Sequence, residues 1–226
     1  AMQLSSRLPK GALFHMGVSN TRRCWNMFQL PESVESACNV GCCGIDGCVS
    51  TLVGASLVNP DRLCYVVVGD LTFFYDLNSL GNHHIGTNLR VMLVNNGRGT
   101  EFRLGIHHCN VFGDDADKYM AAAGHFGNKS PLLVKHYAED LGFHYLSATT
   151  KEEFMTALSN FTNPQLSDHS MILEVFTDSK DESEALYLMS HIQSDAKGMV
   201  RSKLKDAVRN VAGEKGINAI KKILKK

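Results

Sequence analysis

The chain has 226 residues, 44% of them hydrophobic and 20% charged, and its 23 Lys and Arg balance 23 Asp and Glu. That is enough apolar material for one sizeable core with an appendage. No run of 18 apolar residues exists, which excludes a membrane-spanning helix, and no recognised DNA- or RNA-binding motif is present. Strands are predicted over residues 11–18, 36–41, 63–69, 89–95, 144–148 and 170–177. Helical patterns fall near 20–29, 47–58, 72–82, 131–141 and 151–162. Alternation of strand and helix predicts an α/β domain over residues 1–190. It has three layers, α/β/α, around a six-stranded, mostly parallel sheet.

The most informative spacing lies in the middle strands. LCYVVVGD (63–70) and LRVMLVNN (89–96) are apolar, β-branched runs without helical period, as expected of strands buried on both faces of a parallel sheet. About one crossover helix fits between them, so Asp70 and Asn96, 26 positions apart, should reach the same sheet edge. Open α/β sheets bind ligands at that edge. A carboxylate and an amide carbonyl are hard oxygen donors, suited to a Mg²⁺ ion that brings phosphate oxygens of its own. Gly69 lets the backbone turn beside the ligand, and Thr72 is expected to start a helix whose free N–H groups favour an anion. A Mg²⁺-diphosphate site is the reading these residues support.

Gly-Asp followed after about 26 residues by Asn-Asn resembles the motif by which thiamine diphosphate (ThDP) enzymes hold Mg²⁺ and the cofactor diphosphate. The resemblance implies that Asp70 and Asn96 bind the metal by their side chains and Arg98 by its backbone carbonyl. Cofactor contacts would come from Cys43, Gly44, Ile45, Gly69, Asp70, Leu71, Thr72, Asn96, Arg98, Gly99 and Thr100. Ile45 would be the apolar wedge that bends the cofactor. Within these enzymes GIDGCVST, GDLTFFYDLNSL and LVNNGRGTEF look like the signatures of SEPHCHC synthase, the menaquinone-pathway enzyme that joins a unit from 2-oxoglutarate to isochorismate.

By the same resemblance Ser19, Arg23 and Phe102 border the substrate. Two positions depart from the pattern. Val40 stands where an arginine is expected, and Glu101 where an apolar residue would touch substrate. Losing a guanidinium removes a carboxylate clamp, and an added carboxylate repels a dicarboxylate, which predicts a different, less anionic acceptor. Arg22 is expected to be solvated, and Asp46 to cap the following helix or sit in its first turn rather than act in catalysis.

ThDP enzymes of this kind take an activating glutamate from a separate pyrimidine-binding domain, and nothing in these residues looks like it. No catalytic residue is therefore assigned to this chain. The expected partner is a pyrimidine-binding domain in the same or another chain, in a homodimer or higher oligomer, with a small 2-oxoacid as donor. Without it, weak ThDP binding and no turnover are expected. Other readings stay open: an acetolactate synthase-like component with another acceptor, or a noncatalytic ThDP-fold regulatory or assembly module. An ordinary nucleotide-binding protein is disfavoured by the lack of a Walker loop or GxGxxG.

The remaining features are bounded by composition. Seven cysteines, with no charged start and apolar stretch in residues 1–10, predict reduced thiols in the cytoplasm. Cys38, Cys42, Cys43 and Cys48 match no zinc or iron–sulfur spacing and are expected to be small packed thiols. Residues 103–130 have no clear period and are expected to form a loop or short helix over the cofactor, with His107, His108 and His125 as loop histidines. Residues 191–226 are expected to form a basic amphipathic helical tail; from 196 onward it has ten Lys and Arg against two Asp and Glu. Its apolar stripes are Val200, Leu204, Val208 and Val211, then Ile217, Ile220 and Leu224. Docking on an acidic protein surface is expected ahead of anionic lipid.

Overall fold

The computed structural model describes residues 1–41, 44–104, 107–120, 127 and 129–192. Cys42, Cys43, His125 and the tail from residue 193 lie outside them. Six strands form one sheet: β1 (Leu13–Met16), β2 (Glu35–Cys38), β3 (Cys64–Gly69), β4 (Leu89–Asn95), β5 (His144–Ala148) and β6 (Met171–Phe176). Every pairing is parallel, in the order β2-β1-β3-β4-β6-β5. All six predicted strands are present, and the sheet is parallel throughout.

Alternate residues of the central strands feed two cores. Val66, Val68, Val91 and Leu93 face one side, under α3 (Cys48–Val58), α4 (Asp70–Tyr75) and α6 (Leu133–Asp140). Tyr65, Val67, Met92 and Leu173 face the other. There they meet α1 (Met2–Ser5), α2 (Asn20–Trp25) and α7 (Lys151–Phe161). Strands β3 and β4 are buried on both faces, which is why their sequences read as continuous apolar runs.

The chain leaves β1 toward β2 on one side, then returns to pair β3 on the other. Such a reversal opens a crevice at the carboxyl ends of the two strands. Gly69 pairs with Val94 in register, so Asp70 and Asn96 follow closely at that edge.

Two helix expectations change in detail. The helix near 20–29 is only six residues long, Asn20–Trp25. The one predicted from Thr72 starts at Asp70, with Gly69 as its cap, so Thr72 is its third residue. It stops at Tyr75 and resumes as a 3₁₀ turn, Leu77–Gly81, because Asp76 leaves helical geometry (φ −116°, ψ 14°).

Asp76 has another task. Its Oδ2 accepts from the Ser50 N–H at 2.6 Å, at the third residue of α3. The cap position of α3 is Gly47 (φ 76°), which has no side chain to offer, and the first turn contains no acid. Asp46 therefore does not cap α3, contrary to expectation, and instead folds back against Gly44, where a Cβ would collide with its carboxylate. Within residues 103–130 the chain forms 3₁₀ turns over His108–Asp115, then α5 (Ala116–Tyr119). A further helix, α8 (Ser179–Ser190), follows β6 and was not predicted.

Asp76→Ala should remove the only side-chain acceptor described at the start of α3 and cost about 1–2 kcal/mol, read as a lower urea midpoint at unchanged slope. An unchanged midpoint would show that water replaces the carboxylate at no cost.

Candidate functional site

The carboxyl ends of β1, β3, β4 and β6, together with α8, line one cavity of about 620 Å³. Ser19 follows β1 as the cap residue of α2, with φ 65° and ψ −129°, a backbone region that residues with a Cβ rarely adopt. Arg23 lies one turn further on, with Nη1 donating to Asn20 Oδ1 at 2.9 Å.

Beyond β4 the 3₁₀ turn Thr100–Arg103 carries Glu101 across to both residues. Arg23 Nη2 donates to Glu101 Oε1 at 2.7 Å, and the Ser19 hydroxyl makes a short hydrogen bond to Glu101 Oε2. Burial alone would raise the Glu101 carboxyl. Hydrogen bonds from Ser19 and Arg23, the Arg23 charge and His107 hold it below the ordinary glutamate range.

Asp70, at the end of β3, is 2% exposed, and its Oδ1 accepts from the Leu71 N–H at 2.8 Å. Asn96 presents its Nδ2 to Thr100 Oγ1 and to Glu182 Oε2, both at 2.9 Å. That arrangement turns its Oδ1 the other way, where it accepts from the Arg98 N–H at 3.1 Å. The Arg98 carbonyl accepts from the Thr100 N–H at 3.1 Å. Among the described residues each of these two oxygens accepts one hydrogen bond, and a carbonyl oxygen has two lone pairs. The set of a carboxylate, a carboxamide oxygen and a backbone carbonyl matches what a hard divalent cation selects.

Most of the predicted contacts meet in this cavity. Ile45 and Gly69 to Thr72 line it from one side, and Asn96 with Arg98 to Phe102 from the other. Ser19 also lines it, whereas Arg23 lies behind Glu101. Phe102 meets His107 edge-on, ring centres 5.0 Å apart. Gly44 is held by the fold of Asp46 and does not reach the cavity wall. Val40, the other departure, is exposed. Cys48 and Cys64 are buried, and burial pushes both thiols up to about 11. Cys43 falls outside the described residues.

Helix α8 adds a wall the sequence reading missed. Ala185, Leu186 and Met189 close one side, and Glu182 reaches in between Thr177 and Asn96. Burial pushes the Glu182 carboxyl up, Thr177 and Asn96 pull it back, and Asp70 and Asp178 add to the rise. A signal was available: Asp178 caps the helix, accepting from the Lys180 and Asp181 N–H groups, and acids fill the first turn.

Comparison with curated proteins finds relatives named 2-succinyl-5-enolpyruvyl-6-hydroxy-3-cyclohexene-1-carboxylate (SEPHCHC) synthase, among them the following three. The Bacteroides fragilis protein is 34% identical over 183 residues, covering 81% of this chain and 31% of its own. Those of Phocaeicola vulgatus (34%, 81% and 31%) and Christiangramia forsetii (35%, 82% and 30%) each align over 187 residues. The chain is a sequence relative of SEPHCHC synthases. It spans 30–31% of the length of these relatives. No family model matches it. Among the described residues, no helix is long and apolar enough to cross a membrane.

The Glu101 pairing has a pH signature. A carboxyl held lower in the folded state stabilises the fold above the unfolded glutamate pKa of about 4.3, and the contribution disappears as pH falls through the folded value. Glu101→Gln should therefore melt below the parent at neutral pH, with the gap closing progressively below about pH 4. Calorimetry across that range checks it, and a gap independent of pH would contradict it.

Proposed function

We propose that this chain is the diphosphate- and Mg²⁺-binding part of a ThDP-dependent carboligase or 2-oxoacid decarboxylase similar to SEPHCHC synthase. The observation that carries the proposal is the pair Asp70 and Asn96, delivered by adjacent parallel strands to one cavity. Asp70, Asn96 and the Arg98 carbonyl would hold the metal, with Gly69, Leu71, Thr72, Gly99 and Thr100 beside the diphosphate and Ile45 against the rings. The group would supply carbanion stabilisation for making or breaking a bond next to a carbonyl carbon.

This chain's own residues bind, orient and exclude water. Thr100 and Glu182 take both donors of the Asn96 amide, which fixes its oxygen on the opposite side. Leu186, Met189 and Phe154 shield the cavity with apolar surface. Residues 1–190 would form the cofactor domain and 191–226 a basic tail. The activating glutamate would come from a pyrimidine-binding domain, in keeping with a chain that spans under a third of its relatives. The proposed donor is a small 2-oxoacid.

Trp25 is the single tryptophan and lies in the cavity wall, so its fluorescence should report binding. ThDP should quench it saturably and only with Mg²⁺. Changing a residue that merely supports a metal ligand costs about 10–100-fold in affinity, so Asp70→Ala should cost at least that much. Undiminished Mg²⁺-dependent affinity in Asp70→Ala would overturn the proposal. Carboligation by the 226-residue chain alone would overturn the assignment of the activating group elsewhere.

A further inference from the structure

We infer that Glu101 is a resident carboxylate seated in the subsite formed by Ser19 and Arg23, so that the substrate group meeting this wall is uncharged, such as a neutral aldehyde or ketone. The inference rests on the ThDP reading of the cavity and specifies the substrate class it admits.

Ser19 and Arg23 make a recognition pair for a carboxylate: a hydroxyl and a guanidinium converge on the two oxygens of one group. That group is Glu101 of the same chain. The two guanidinium termini have assigned acceptors, Nη1 on Asn20 and Nη2 on Glu101. An incoming carboxylate would therefore have to displace Glu101 from both partners and then lie beside it, and two like charges in a partly buried pocket repel.

The charge on the wall points the same way. Among the described residues, the charged side chains lining the cavity are the carboxylates Asp70, Glu101 and Glu182 and one guanidinium, Arg98. Arg98 itself lies 3.8 Å from the Asp117 carboxylate. Arg23 is neutralised behind Glu101 and offers no net positive charge. A Mg²⁺ ion would offset the acidic end near Asp70, but the Glu101 end is already neutral as a pair. Phe102, Trp25, Phe28 and Met92 line the same cavity and favour an apolar or uncharged ligand face.

Succinate is the direct probe, titrated by calorimetry into the full 226-residue chain, into Glu101→Ala and into Glu101→Ala/Arg23→Met. The parent should show no saturable binding in the millimolar range. Glu101→Ala should bind at least about tenfold more tightly, as expected when a charged hydrogen-bonding pair becomes available, and the double variant should lose that gain. Equal binding by the parent and Glu101→Ala would overturn the inference, as would a folded Glu101→Ala that gains nothing. Should Glu101→Ala fail to fold, judged by circular dichroism, Glu101→Gln keeps the side-chain volume and removes the charge. It must then show the gain, and its absence would be equally fatal. Mg²⁺-ThDP titrated in parallel separates the two ideas. Variants that behave as stated toward succinate, in a chain that never binds ThDP, would overturn the cofactor reading and leave the occupied subsite standing.

Discussion

Parallel pairing of β1, β3 and β4 brings three strand ends to one edge of the sheet, and the placing of Ser19, Asp70 and Asn96 follows from that constraint. Parallel strands need a crossover at every step, so the segments that leave their carboxyl ends all begin on the same side. Ser19, Asp70 and Asn96 are the first polar positions on those exits. Burial of β3 and β4 on both faces makes the register stiff, because a slip by one residue would exchange the two cores. Asp70 can therefore be 2% exposed and still stand at a fixed position over the cavity.

The parts of this arrangement that were legible in the sequence are those with a local signature. The apolar runs ending in Gly69-Asp70 and Asn95-Asn96 have one because buried parallel strands have little compositional freedom. The capping of α3 has none. Its carboxylate, Asp76, lies 26 residues beyond Ser50 and reaches it only after the crossover has folded, so a rule that looks just before the helix selects Asp46 instead. Helix α8 was passed over for a related reason. It has no fully buried residue, and its charged first turn resembles a loop until the Asp178 cap is considered.

Glu101 illustrates a subtler limit. Its residue type was legible as an intrusion into a substrate wall, and Ser19 and Arg23 as carboxylate partners, but each was weighed against an external ligand. The structure joins them to one another across 82 and 78 residues. Sequence spacing does not show a contact of that kind, because β1 and β4 are not neighbours in the sheet and meet only through the turn that follows β4.

The cavity consequently has two ends of different electrostatic character. At one end burial, with the Asp70 charge adding to it, raises the cost of ionising Glu182, and Asn96 turns its amide N–H toward Glu182 and its oxygen the other way. Negative charge concentrated at low exposure is stabilised most effectively by a cation, and a divalent one also makes the end attractive to phosphate. At the other end Ser19 and Arg23 satisfy Glu101 internally, which leaves that part of the wall with no net charge to match. On the proposed reading, a ligand that suits both ends would be anionic beside a cation held at Asp70 and neutral beside Glu101. That polarity is set by the exits of β1, β3 and β4, and changing it at Glu101 need not disturb the strands that create it.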